Sequence, residues 1–214
     1  MKGLLIKDYR LTKHNCRFYV ILPFLALMLL VTGNGISFVC FFLTFCFSMM
    51  VLTTISYDEF DKSSAYLMTM PVTRKTYVLE KYCFGICCCF AGWAISVLLI
   101  LIRNGFSTAV INLGICLLTF YLVILMLLVT LPVQLKFGGD NGKVVLVGVI
   151  VILILAGMFL VQVGEWLSID YRQIAVSVQS MHPLLLAGIV VLFHLGLGAA
   201  SWFCSLHIME KKEF

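Results

Sequence analysis

The chain has 214 residues, 62% of them hydrophobic and only 12% charged, with a net charge of +5. Soluble domains run near 45–50% apolar and about 25% charged, so a single soluble core is excluded. The apolar residues arrive in runs of about 20, the length that crosses roughly 30 Å of hydrocarbon as a helix. They are continuous and do not alternate, which argues against a β-barrel. The expected fold class is all-α: a polytopic integral membrane protein with six transmembrane helices and both termini in the cytoplasm.

Residues 1–14, MKGLLIKDYRLTKH, place Leu4, Leu5 and Tyr9 on one helical face, with Lys2, Lys7, Arg10 and Lys13 mostly away from it. This fits an amphipathic helix lying in the headgroup region; a plain basic topogenic tail is the alternative. A cleaved signal peptide fits poorly, because the charged region is long and no small-residue cleavage site follows. The first span, about 18–32, is short and holds Pro23, and Gly33-Asn34-Gly35 makes a tight turn into the second, about 36–57.

Then comes the one long polar interruption of the first two thirds, YDEFDKSSAYLMTMPVTRKTYVLEKY, from Tyr57 to Tyr82. It carries Asp58, Glu59, Asp61 and Glu80 beside Lys62, Arg74, Lys75 and Lys81. Pro71 divides it, and Thr73 is placed to N-cap a helix running through Arg74, Lys75, Tyr77 and Glu80 into the third span, about 82–102. A compact elbow and a loop anchored at the headgroups by its basic residues both fit this composition. The fourth span is about 109–133, with Pro132 marking its end. Gly138 to Lys143 read as a tight turn, the fifth span is about 144–164, and the sixth is about 184–206. Between the last two, Glu165 to Pro183 fits a short interfacial helix or an ordinary loop.

With the N-terminus placed inside, the outer segments hold only Arg103 and Arg172 of the fifteen basic residues. That bias sets orientation, puts the 58–81 segment in the cytoplasm, and explains the net charge without nucleic acid.

The chemistry of sites is sparse. No GxxxxGK[ST] phosphate cradle is present, so the chain is not expected to hydrolyse ATP alone. His194 is the one ionisable residue near the middle of a span, and a lone membrane histidine more often hydrogen-bonds a neighbouring helix than relays protons. Eight of the nine cysteines lie inside apolar runs and Cys16 beside one, so they read as small buried residues. Cys83 and Cys87 share a helical face, but Cys88 and Cys89 point elsewhere and no histidine is near, so no metal and no cofactor is expected. Gly92 with Ser96, and Gly196 with Ala200, are small pairs at helical spacing that suit close packing of spans three and six.

MKGLLIKDYRL, the Tyr57–Tyr82 segment and QLKFGGDNGK together resemble the permease subunits of bacterial type-2 ABC exporters. More narrowly, the chain is similar to the small six-span permeases that pair with a separate ATP-binding cassette protein, some of which export phenol-soluble modulins, bacteriocin-like peptides or drugs. The resemblance implies that the 58–81 segment docks on the ATPase, with Asp58, Glu59, Asp61, Tyr66, Pro71, Arg74 and Lys75 giving contact or shape. Lys136 and Lys143 would form a second cytoplasmic contact, and Leu4, Leu5 and Tyr9 the interfacial helix. It further implies two permease chains, identical or different, in bacterial plasma-membrane lipid, with ATP and magnesium held by the partner ATPase. A non-transporting membrane scaffold or immunity protein, binding through its cytoplasmic or outer segment, is the alternative. An intramembrane enzyme would need paired polar groups deep in the spans, which the sequence lacks.

Overall fold

The computed structural model describes residues 2–14, 16–32, 35–60, 73–138 and 183–211, with isolated positions between 148 and 166. Its elements are α1 (Lys2–His14), α2 (Cys16–Val31), α3 (Ile36–Phe60), α4 (Arg74–Ile111), α5 (Leu113–Phe137) and α6 (Pro183–Lys211). The described chain is helical, as lipid demands: a backbone in hydrocarbon must satisfy its own polar groups. Among the described residues, four stretches are long and apolar enough to cross a membrane: Ile36–Glu59, Arg74–Arg103, Leu113–Phe137 and Val190–Lys211. The expected first span is the 16-residue α2, about 24 Å long and short of a full crossing. Most of the expected fifth span lies outside the described residues, as do the Gly33-Asn34 turn, the Gly139–Lys143 turn and nearly all of the 165–183 connection.

The middle helix is α3, which packs on α2, α4 and α5. Close approach explains how. A Cβ built on Gly92 of α4 would lie 2.8 Å from Phe47 Cβ and 3.0 Å from the Leu43 carbonyl oxygen of α3. One turn further along α4, the Ser96 hydroxyl is 2.9 Å from Cys40 Sγ. Gly85 plays a similar part toward Leu127 of α5 and Val51 of α3, at 3.1 and 3.4 Å. The other small pair is placed differently. A Cβ on Gly196 meets nothing within 4 Å among the described residues, and Ala200 is exposed.

Helices α5 and α6 run parallel in a fixed register. His194 Nε2 lies 3.2 Å from the Tyr121 carbonyl oxygen, and two turns on the Ser201 hydroxyl donates to the Leu128 carbonyl. That second contact explains a helix end that differs from expectation. Pro132 does not stop α5, which continues to Phe137. Proline has no N–H to offer the carbonyl four residues back, here Leu128, and Ser201 supplies the missing donor. Helix α4 also runs past its expected end, to Ile111, across a break at Gly105 (φ 81°, ψ 168°) that only glycine adopts without strain. Beside this break Arg103 donates to the Leu30 carbonyl at 3.0 Å, capping the end of α2.

The packing gives a direct test. Gly92→Val should lower the melting temperature of the purified chain, at a cost of about 1–3 kcal/mol from overpacking, because one close neighbour is backbone. Gly114→Ala, where an added Cβ meets nothing within 4 Å, should melt with the parent. Equal melting of all three proteins would show that α3 and α4 are not in close contact.

Candidate functional site

The polar interruption that follows α3 leaves two stems in the structure: Asp58 and Glu59 at the end of α3, and Thr73 to Lys81 at the start of α4. Thr73 caps α4 as the sequence implies. Its hydroxyl accepts from the Thr76 amide at 3.3 Å, and its carbonyl accepts from the Tyr77 amide at 3.1 Å. Residues 61–72 lie outside the described residues, and with them Asp61, Tyr66 and Pro71; Lys143 does too.

What joins the stems is a buried cluster of charge. Lys81 is completely buried, and so is Asp8 of α1. The Lys81 ammonium donates to Asp8 Oδ2 and to Thr54 Oγ1 at 3.2 Å. It also lies 3.1 Å from Asp58 Oδ2 and 3.7 Å from Glu80 Oε2. The other Asp58 oxygen accepts from the Lys7 ammonium, which is 3.4 Å from Asp8 Oδ1. Tyr77 closes the group from α4: its hydroxyl donates to Asp58 Oδ2 at 3.0 Å, and its ring centre is 5.2 Å from the Lys81 nitrogen, within cation–π range. Three helices, α1, α3 and α4, thus meet in one ion network.

The network is uneven. Asp8, Asp58 and Glu80 face two ammonium groups, Lys7 and Lys81. Glu80 is fully buried, and its two oxygens accept no hydrogen bond among the described residues. It is the carboxylate left over. A buried ion group of this kind is weak evidence for stability, because desolvation offsets attraction, but removing one member leaves the rest uncompensated at high cost.

Other contacts bring the ends of α5 and α6 to the same place. Arg74 Nη1 donates to the carbonyls of Met209 at 2.8 Å and Glu210 at 2.5 Å. This caps the α6 terminus, where the helix dipole favours a cation. The Tyr82 hydroxyl lies 2.5 Å from Ser201 Oγ and 2.8 Å from Ser205 Oγ. Gln134 of α5 donates to Ser56 of α3 at 2.9 Å. Gly138, at φ 51°, packs so tightly under the Glu59 carboxylate that a Cβ would overlap it.

The residues singled out from sequence therefore fall into separate places. Asp58 is 2% exposed and faces inward. Arg74 is half-buried on α6, and Glu59 lies against Gly138. Lys75 is exposed, as is Lys136 in the last turn of α5. On α1, Leu4 is buried and Leu5 half-buried, while Tyr9 is 65% exposed; the buried side of α1 is the one carrying Leu4 and Asp8. Lys7, Asp8, Tyr77, Glu80 and Lys81 were not singled out. One signal was available, since Asp8 is the sole acid in a basic N-terminal segment.

A family model described as ABC-2 family transporter protein matches residues 3–210, and the chain belongs to that family. No curated protein and no solved structure gives a significant match. The ABC-2 family is a membrane transport component and not itself catalytic.

Removing the charge of one member should expose the asymmetry of the network. Lys81→Met leaves three buried carboxylates against one ammonium and should cost about 3–5 kcal/mol, seen as a large fall in melting temperature or in folded yield. Glu80→Gln removes the excess charge and should melt at or above the parent. If Lys81→Met melts with the parent, the cluster does not hold α1 to the stems.

Proposed function

We propose that this ABC-2 family chain is the membrane-spanning permease subunit of an ATP-binding cassette exporter in a bacterial plasma membrane. It moves an amphipathic or hydrophobic substrate (a peptide, lipid or drug) outward on ATP hydrolysed by a separate subunit. ATP and magnesium belong to that subunit, and two permease chains, identical or different, pair with two ATPases.

The observation that carries this reading is the clamping of the stems. A segment that only tethered the chain to headgroups would need no buried connection to the bundle. Here one stem reaches α1 through Asp58 and Lys7, and the other reaches α1 through Lys81 and α6 through Arg74. A displacement of the 58–81 elbow is therefore delivered to several helices together. In this assignment Lys75, Asp61 and Tyr66 meet the ATPase and Pro71 shapes the elbow. Asp58, Glu59 and Arg74 pass motion inward. Lys136 and Lys143 form a second contact on the same side, and α1 is the interfacial helix. Helices α5 and α6 both end on this side.

The experiment is co-purification. The tagged chain is extracted gently from its native membrane, its companions are identified, and ATP hydrolysis is assayed. A nucleotide-binding cassette protein should come with it. Reversing the exposed charge in Lys75→Glu should weaken that capture by about fivefold, the worth of about 1 kcal/mol at an exposed ionic contact, while the melting temperature stays at the parent value. A well-folded chain that brings down no ATPase from its own host would move the reading to a scaffold or immunity protein.

A further inference from the structure

Between the second halves of α5 and α6 runs an apolar groove of about 900 Å³, within the range of ligand sites. Its walls come from two stripes at helical spacing, including Leu125, Val129 and Val133 of α5 and Leu197, Ala200 and Ile208 of α6. At one end the lining changes character: Lys136, His207 and Lys211 all border it there, and no carboxylate does among the described residues.

We propose that this groove binds an anionic phospholipid, with an acyl chain in the slot and the phosphate at Lys136 and Lys211. Three observations favour this occupant. From Leu125 to Lys136 the helix rises about 16 Å, close to the depth of one leaflet, half of roughly 30 Å. The two lysines stand in the last turns of their helices, so both ammonium groups sit at the same level, where a headgroup would lie. A second copy of the chain seated on this face by two-fold symmetry would bring the same three basic residues toward one another, with like charges opposed.

The lysines have a structural use, since each complements the negative end of its own helix. That role accounts for their position along the helix. It does not account for an apolar slot a leaflet deep opening beneath both of them. The inference concerns lipid and not transport, and it holds whether or not an ATPase binds.

The test uses the full chain, purified in detergent and stripped of lipid, without nucleotide. Dioleoylphosphatidylglycerol and dioleoylphosphatidylcholine are titrated in turn, and adducts are read by native mass spectrometry. The anionic phosphatidylglycerol should be retained about tenfold more tightly, a modest return for two lysines near an anionic headgroup. Lys136→Gln with Lys211→Gln should abolish the preference, and Ala200→Phe, which fills the slot, should weaken both lipids. Equal retention of the two lipids by the parent chain overturns the proposal, as does a preference that survives the double substitution. Displacement by inorganic phosphate alone would point to a soluble anion and would also overturn it. A dimer lost in Ala200→Phe, with lipid retention unchanged, would assign the face to a second copy. Should the variants fail to fold, a photoactivatable acyl phosphatidylglycerol on the parent chain decides the matter. It should label peptides from 125–137 and 197–211, and labelling confined elsewhere overturns the site.

Discussion

An ammonium group with no access to solvent, held by carboxylates from three helices, is the constraint around which this bundle is arranged. Lys81 could not be buried alone; the charge would be too costly without partners. Its partners are Asp8, from a helix at the start of the chain, and Asp58, from the helix before the elbow. Because neither partner can be lost cheaply, α1 cannot drift along the headgroups and the two stems cannot separate. The cluster thus joins the two stems of the polar interruption at a fixed junction. It stands at the end of the bundle where α5 and α6 also terminate, through Arg74 on the α6 carbonyls and Glu59 against Gly138.

Beyond that junction, the helices have little to hold them by hydrophobicity, since lipid tails are as apolar as leucine. The structure relies instead on close backbone approach and scattered polar bridges. Gly92 and Gly85 let α4 settle on α3 and α5. Ser96 meets Cys40, Trp93 Nε1 donates to the Cys116 carbonyl at 3.0 Å, and His194 lies between the carbonyls of Val190 and Tyr121. A neutral imidazole has one N–H, so it serves one of these carbonyls at a time. The contact between His194 and α5 is of the helix-bridging kind. Each bridge is modest, about 1 kcal/mol or less in membrane hosts, and together they set register more than they set stability.

Much of this was legible in the sequence, and the boundary of what was legible has a physical form. Features read from neighbours in the chain carry over well: four of the six apolar runs as spanning helices among the described residues, the Thr73 cap, the continuous helix from Arg74 into the third apolar run. Features that depend on distant partners do not. Nothing local announces that Asp8 will meet Lys81, 73 positions away, because hydropathy counts an aspartate as solvent-facing. The apolar face that the sequence draws on α1 runs through Tyr9, whereas the side that packs on the bundle carries Leu4 and Asp8. Pro132 marks a stop by the ordinary rule for soluble helices, and the hydroxyl of Ser201 on another helix, donating to the Leu128 carbonyl, makes its passage tolerable. Arg74 had the look of a surface cation; its use as a cap depends on where α6 happens to end.

The uneven count of the cluster bears on how such a junction could work. A rigid joint with matched charges would transmit a push but would have no reason to prefer one arrangement over another. An energy source shifts a two-state equilibrium only through a difference in its interaction with the two states. Three carboxyl groups face two ammonium groups in the arrangement seen here, and Glu80 is the one whose oxygens accept no hydrogen bond among the described residues. A second arrangement that gave Glu80 a donor, or water, would relieve the excess that this one retains.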